Sequence, residues 1–388
     1  MTLFDRSILD LPLFEDRHRA LADALEAWVA ETALTPEEAA ASPSERGRIW
    51  TRRLGAAGWL DHAVYPDAGR SRPDLRSLCL IREALARLDD LADFAFAIQG
   101  LAAAPMAWFG ERGTDDPRLA PMAKGELIGS LALSEPERGS DLAGMAVEAV
   151  RGERGLVVDG TKTWVSNGTI ADHHAALLRT GEGPGGMGLS FVSVPADTPG
   201  VSVEEIELLA PRAFSTLTFA DAALPADAVI GQPGMGFKYA LEILGFYRVT
   251  VGSAAIGFAR KAFDAATGWA RERHVAGTKL IQTQMAMDKL ADMATFLDSA
   301  SLMVARAAWE VDVQGRDVPS HSSMAKLFAT DGAQEAVDDA VQLFGAAGLV
   351  AGSVPEALYR QIRSLRIYEG TSEIQKLIIA GQIGRSNR

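Results

Sequence analysis

The spacing of apolar residues changes period twice along this chain, and that change limits the possible folds more than any single motif does. From the N-terminus to about Lys124, apolar residues recur at the spacing that gives a helix one buried face. Leu21, Leu25, Trp28 and Val29 mark such a stripe within residues 13–33, and 49–59, 75–88 and 92–109 read as three further helices. From Leu127 to about Ile230 this period is lost. Short runs rich in Val, Thr, Leu and Phe replace it at 156–158, 163–166, 175–179, 189–194, 201–207 and 216–219, parted by Gly, Pro and Asp. Strands so closely spaced, with no helix between them, predict a small antiparallel barrel or sandwich. The glycine-rich run 181–188 lies between two of these strands and lacks the Lys-Ser/Thr pair of a phosphate loop, so it reads as a hairpin connection. From Gly236 the helical period returns in long stretches. One stripe joins Met287, Leu290, Ala294, Leu297, Ser301, Val304, Ala308 and Val311, and another joins Val249, Ile256, Phe263 and Ala270. Such stripes suit antiparallel bundle helices. The expectation is an α+β protein, mostly α, with an N-terminal helical domain at 1–124, a middle β-domain at 125–232 and a C-terminal four-helix bundle at 233–388.

Composition removes several classes of function. A net charge of -13 disfavours a nucleic-acid scaffold, although a local arginine cluster can still serve an anionic ligand in an acidic protein. The single cysteine, Cys79, permits no intrachain disulfide and fits a reducing cytoplasm. The opening Met-Thr-Leu-Phe-Asp-Arg turns charged at once, unlike a secretory leader. The longest uncharged stretch, 94–110, contains Gln99 and Pro105 and falls short of the ~20 apolar residues a spanning helix needs, so it reads as buried helix and no membrane is expected. His173 and His174 have no third ligand spaced with them, so no metal is expected either.

Five strings carry the chemistry. Ile367-Tyr368-Glu369-Gly370-Thr371-Ser372-Glu373-Ile374-Gln375 lies between a helical run at 355–365 and the apolar start of another at Leu377, Ile378 and Ile379. A carboxylate beside a glycine can be delivered into a cavity by a sharply turning backbone, and the next helix's first amides can bind an anion. Alone, the same string also reads as a loop with a solvated glutamate. Ala132-Leu133-Ser134-Glu135-Pro136-Glu137-Arg138-Gly139-Ser140-Asp141 reads as a turn before a strand, and Gly160-Thr161-Lys162-Thr163-Trp164-Val165-Ser166-Asn167-Gly168 as a strand with a core tryptophan. Arg271-Glu272-Arg273-His274-Val275-Ala276-Gly277, followed by Gln284, reads as a solvated helix end. Gln342-Leu343-Phe344-Gly345-Ala346-Ala347-Gly348 is a run of small residues.

Together these strings resemble the signatures of the acyl-CoA dehydrogenase family of flavoenzymes, and the order helices, strands, helices is that family's architecture. The resemblance covers nearly the whole chain. It implies an FAD-dependent α,β-dehydrogenation of an acyl-CoA thioester, with Glu369 removing the α-proton and the flavin accepting the β-hydride. It makes Leu133, Ser134, Ser140, Trp164, Ser166, Arg273, Gln284, Gln342, Gly345, Ala346, Thr371 and Glu373 cofactor contacts. Trp164 would pack against the flavin, and Ser166 would bond near its N5 or O4. Arg273 would reach the pyrophosphate of a flavin held mainly by a neighbouring subunit. Ser140 would bind either a cofactor phosphate or the pantetheine of the substrate. Gln99, Leu101, Tyr247, Arg248, Tyr368 and Gly370 would line the substrate, Arg248 acting either as a carboxylate's pair or as a brace for the active-site helix.

The chain departs from the family pattern at several places. Tyr65-Pro66-Asp67-Ala68-Gly69-Arg70 replaces a double-glycine loop, Arg138 a small residue, Ala276 an aromatic and Ala346 a glycine. Tyr247 stands where some branches carry the base, which sharpens the case for Glu369. The resemblance further implies an electron-transfer flavoprotein as acceptor and a homo-oligomer, most often a tetramer built as a dimer of dimers. An acyl group on a carrier protein, a flavin monooxygenase and a non-catalytic relative remain as alternatives on the same fold.

Overall fold

The computed structural model describes residues 3–152, 155–316 and 318–386. It is 59% helical with one large sheet, as the periodicity implied. Its two compact units cut across the three sequence segments: one comprises Met1–Ala33, Leu75–Asp93 and Gly245–Arg388, the other Leu34–Asp74 and Phe94–Leu244. The helix Leu75–Leu88 explains the division. It is buried nearly all round, so it needs neighbours on every side. It finds them in Asp16–Glu31 and Gln284–Gln314.

In the helical unit, Gln284–Gln314 packs on Pro319–Phe344, which in turn packs on Val354–Ile362 and Ser372–Ser386. The long helix Gly236–Glu272 adds its larger part and crosses Leu75–Leu88 so tightly that a Cβ on Gly257 would stand 2.3 Å from the Glu83 carbonyl oxygen. Only glycine allows that approach. Asp312 then caps Leu75–Leu88, accepting from the amides of Leu75 and Arg76 at 2.9 Å each and from the Arg76 guanidinium at 3.0 Å. A carboxylate at this end satisfies otherwise orphaned N–H groups and suits the helix dipole.

The second unit is built on an eight-stranded sheet of β1 (Gly129–Ala132), β2 (Glu148–Gly152), β3 (Gly155–Ser166), β4 (His173–Arg179), β5 (Leu189–Pro195), β6 (Val201–Glu205), β7 (Phe214–Leu224) and β8 (Val229–Ile230). The order is β6-β7-β3-β2-β4-β5-β8, with β1 also on β4. The purely antiparallel expectation is corrected in one respect. β1 and β2 both run parallel to β4, one after the other along the edge opposite β5. The reason is that residues 133–147 interrupt what would otherwise be a continuous edge strand. Val158, Val165, Leu178, Val192, Leu217 and Phe219 form the buried face. The run 181–188 does join β4 to β5 as a hairpin.

Two helical stretches, Asp90–Phe109 and Gly236–Glu272, are long and apolar enough to cross a membrane by length and composition. Their most apolar windows are 94% and 78% buried inside the protein, so they serve as core helices.

Candidate active site

Glu369 sits where two helical segments meet. Val354–Ile362 tightens into a 3-10 turn at Arg363–Arg366, and the next helix starts at Ser372. Between them Glu369 and Gly370 take φ values of 53° and 90°. Glycine adopts this left-handed backbone freely, whereas a glutamate there costs about 1–2 kcal/mol. The surrounding donors over-determine the turn. Lys326 Nζ and Gln375 Nε2 each donate to the Gly370 carbonyl at 2.8 Å, and Gln375 also reaches the Glu369 carbonyl at 3.4 Å. Thr371 caps the following helix through Oγ1 to the Ile374 amide at 3.4 Å. Ser372 Oγ and Arg366 Nε converge on one oxygen of Asp331, both at 2.8 Å.

The turn delivers a carboxylate into a charged interior. Glu369 Oε2 is buried and has no hydrogen-bond partner among the described residues. Burial raises the Glu369 pKa above the usual carboxylate range, opposed by the charges of Arg82, Lys326 and Arg248 and assisted by Asp93. Arg82 is itself held by both Asp93 oxygens at 2.8 Å and by Thr250 Oγ1 at 3.0 Å. Tyr247 is buried, and burial together with the charge of Glu369 pushes its phenol pKa up, so it stays neutral and supplies no base. Arg248 donates to Ser323 Oγ at 3.2 Å. A carboxylate with an unpartnered oxygen and a raised pKa is suited to accepting a proton from carbon.

The sheet unit carries a second constellation. Trp164 is 55% exposed and has φ of 56°, at the point where the β3–β7 register shifts between Lys162 and Val165. A positive φ is a genuine outlier for so bulky a residue. The Thr163 amide donates to the Ser134 carbonyl at 2.9 Å, which ties Ser134 to the strand residue just before Trp164. A buried ion pair fixes that loop from beneath. Lys162 Nζ reaches Glu135 Oε1 at 2.8 Å and the Leu133 carbonyl at 2.9 Å, while the amides of Ala146 and Val147 donate to the same carboxylate. Burial pushes the Lys162 ammonium down to about 8. Arg138 turns back towards Glu135, 3.9 Å away. Ser166 is half-buried and Ser140 exposed.

A third constellation lies in the helical unit. The Arg273 guanidinium stands 5.9 Å over the Trp269 ring, and Trp269 stacks on Phe344 at 4.7 Å and 13°. One aromatic stack therefore brings Arg273 to the Gln342–Ala346 stretch. Gly345 ends the helix there at φ of 61°. Gln284, Gln342 and Ala346 are exposed. Ala276 and Gly277, at φ of 49° and 84°, form the tight turn of a small hairpin between His274–Val275 and Thr278–Lys279.

The segments that carry these constellations match known family models. The family model for the acyl-CoA dehydrogenase middle domain matches residues 130–222, and that for the acyl-CoA dehydrogenase C-terminal domain matches 234–384. The human mitochondrial short-chain specific acyl-CoA dehydrogenase is 35% identical over 342 residues, covering 87% of this chain and 82% of that protein. The chain belongs to the acyl-CoA dehydrogenase family. Among solved structures, a probable acyl-CoA dehydrogenase from Mycobacterium abscessus superposes with a TM-score of 0.87 at 31% identity, covering 96% of this chain and 100% of the other. A glutaryl-CoA dehydrogenase from Mycobacterium smegmatis in complex with FADH2 gives 0.85 at 27%, covering 96% and 95%.

As an acyl-CoA dehydrogenase, this protein is an FAD-dependent oxidoreductase acting on acyl-CoA. Its residues fit that cofactor. An exposed indole on a strained backbone offers a flat face for a ring system. An exposed arginine fork braced on an aromatic stack suits a pyrophosphate. Gln99 is fully buried, donating to the carbonyls of Met122 and Leu127 and accepting from the Gly129 amide at the start of β1. Leu101, on the same helix, is buried in the core. Glu373 lies exposed in the first turn of the helix that follows Glu369, and Tyr368 just before Glu369 is half-buried.

Sequence reasoning missed the residues that hold the site. Lys162 and Glu135 are separated by 27 positions, and neither string alone signals the pairing. Lys326 was detectable. It falls on the stripe Ser322, Ala325, Ala329 and Ala333, where a charge is out of place. Arg82 is likewise a cation within a helix buried on all faces.

Proposed function

We propose that this acyl-CoA dehydrogenase converts a saturated acyl-CoA to its trans-2-enoyl-CoA, with Glu369 as the base. The α C–H bond breaks and its proton passes to the Glu369 carboxylate; the β-carbon gives up a hydride, and a Cα=Cβ double bond forms. FAD, when bound, supplies the two-electron acceptor for that hydride. The Glu369 N–H, which meets no acceptor among the described residues, is the chain's own donor to the thioester oxygen. A donor aimed at developing negative charge lowers the barrier to proton removal. The observation that carries this reading is the buried, unpartnered Glu369 oxygen on a clamped turn.

Ser134, Trp164 and Ser166 are assigned to the flavin ring, Arg273, Gln284 and Gln342 to its pyrophosphate half. Likeness to the human short-chain specific enzyme supports a short acyl chain on coenzyme A. An electron-transfer flavoprotein is the assigned acceptor, and a cytoplasmic homotetramer the assigned form. The test is anaerobic mixing of the FAD-loaded protein with saturated acyl-CoA thioesters of increasing length. Short thioesters should bleach the visible flavin absorbance and release enoyl-CoA. Glu369→Gln should bind both ligands yet bleach at least ~10²-fold more slowly. If no thioester of any length bleached wild type, the proposed reaction would be wrong.

A further inference from the structure

The helix Pro319–Phe344 carries a single buried cation on its stripe of small residues. Lys326 is fully buried among Ser322, Ser323, Ala325, Ala329 and Thr330. It makes no ion pair within 4.0 Å among the described residues, and its ammonium donates to the Gly370 carbonyl at 2.8 Å. Burying an ammonium without a carboxylate is unfavourable, so a fold that keeps one there needs a use for its charge. Holding the carbonyl is not sufficient reason. Gln375, a neutral donor, serves the same oxygen at the same 2.8 Å.

The groups that face Glu369 define what the charge adds. Leu75–Leu88 presents Arg82 with Asp93 already attached, while Arg366, with Asp331 attached, acts on Lys326 itself. Gly236–Glu272 presents Tyr247 and Arg248, and Tyr368 is the base's own neighbour. Beside these, Lys326 brings a buried cation that no carboxylate approaches within 4.0 Å among the described residues. We propose that Lys326 is a positioning residue for the base, fixing the Gly370 carbonyl and supplying the counter-charge that keeps the Glu369 carboxylate ionised. The inference rests on the reading of Glu369 as the base. Mutual attraction agrees with the geometry: the Lys326 charge opposes the burial-driven rise at Glu369, and the Glu369 charge opposes the burial that lowers Lys326 to about 8.

The sign of the effect is fixed. Without the cation, the Glu369 pKa rises further and the base is protonated up to a higher pH. The acid limb of any reaction using it must therefore move upward. The experiment follows deuterium wash-in at the α-carbon of butyryl-CoA in D2O across pH, alongside flavin bleaching. It compares wild type, Lys326→Met, Lys326→Gln and Gln375→Leu, with FAD content and melting temperature recorded for each. Both lysine variants should shift the acid limb upward by about one pH unit or more, a tenfold loss or greater below the limb. They should recover most of the rate above it. Gln375→Leu removes a donor from the same carbonyl without removing charge, so it should lower the plateau and leave the limb in place. A Lys326 variant that slows exchange equally at every pH, or that loses FAD and melts early, would assign Lys326 to the fold alone and overturn the inference. Wild type that exchanged with no thioester would instead sink the base assignment itself, and this inference with it.

Discussion

At Glu369 the backbone is strained so that a side chain can be aimed. Lys326, Gln375, Thr371 and the Asp331 pair with Ser372 and Arg366 hold a conformation that a lone E-G-T would abandon. Because burial raises the Glu369 pKa, wild-type turnover should fall on the acid side above the ordinary carboxylate range. A pH–rate profile of flavin bleaching checks this, and a limb below pH 4.5, the unperturbed value, would contradict it. Restoring a carboxylate at Tyr247→Glu in the Glu369→Gln background should recover part of the rate. The sharp turn that carries Glu369 between two helical segments was legible in the sequence. Glu369 and Trp164 each stand in a string whose neighbours specify them. Gln99 was not, since only the fold reveals that its amide is consumed by three backbone groups from other segments.

Among elements, the joint between β1, β2 and β3 matters most, because it presents Ser134 and Trp164 together. Its fastening is the Lys162–Glu135 pair, both members buried. Breaking such a pair on one side strands a charge and costs about 3–5 kcal/mol, whereas removing both can be nearly neutral. Lys162→Met and Glu135→Leu should therefore each lower the melting temperature and the FAD affinity strongly. The double variant should be more stable than either single one; a simple sum of losses would show that no coupling exists. On β4, burial holds the His173 imidazole pKa down to about 3 and that of His174 to about 4, against 6.5 when unfolded. Below pH 6.5 the unfolded chain takes up protons that the folded chain refuses, so stability is full above 6.5 and is lost as pH falls towards 4. Each histidine contributes a slope of about 1.4 kcal/mol per pH unit in that window. Denaturant unfolding of His174→Gln should show a slope shallower by about that amount, and an unchanged slope would refute the assignment. The strands were legible from their period. The parallel pairing of β1 and β2 on β4 was not, because it depends on where a loop returns the chain.

For the whole molecule, periodicity revealed the helix–strand–helix order but could not reveal which helices share a core. Leu75–Leu88 joins the C-terminal helices because it is buried nearly all round, Arg76, Arg82 and Glu83 included, and that depends on partners distant in sequence. Cofactor retention is expected to depend on assembly through Arg273. Arg273→Ala should elute with less FAD and a smaller oligomer on size exclusion, and monomers retaining FAD as wild type does would contradict the assignment. In the proposed reaction Glu369 removes a proton from the α-carbon of an acyl-CoA. Proton exchange at that carbon reports this step directly, without reference to any later electron transfer. With butyryl-CoA in D2O under anaerobic conditions, wild type should place deuterium at the α-carbon, and Glu369→Gln should do so at least ~10²-fold more slowly while still binding the thioester. Exchange by the variant within about tenfold of wild type would rule out Glu369 as the base, because even modest general-base assistance exceeds that factor.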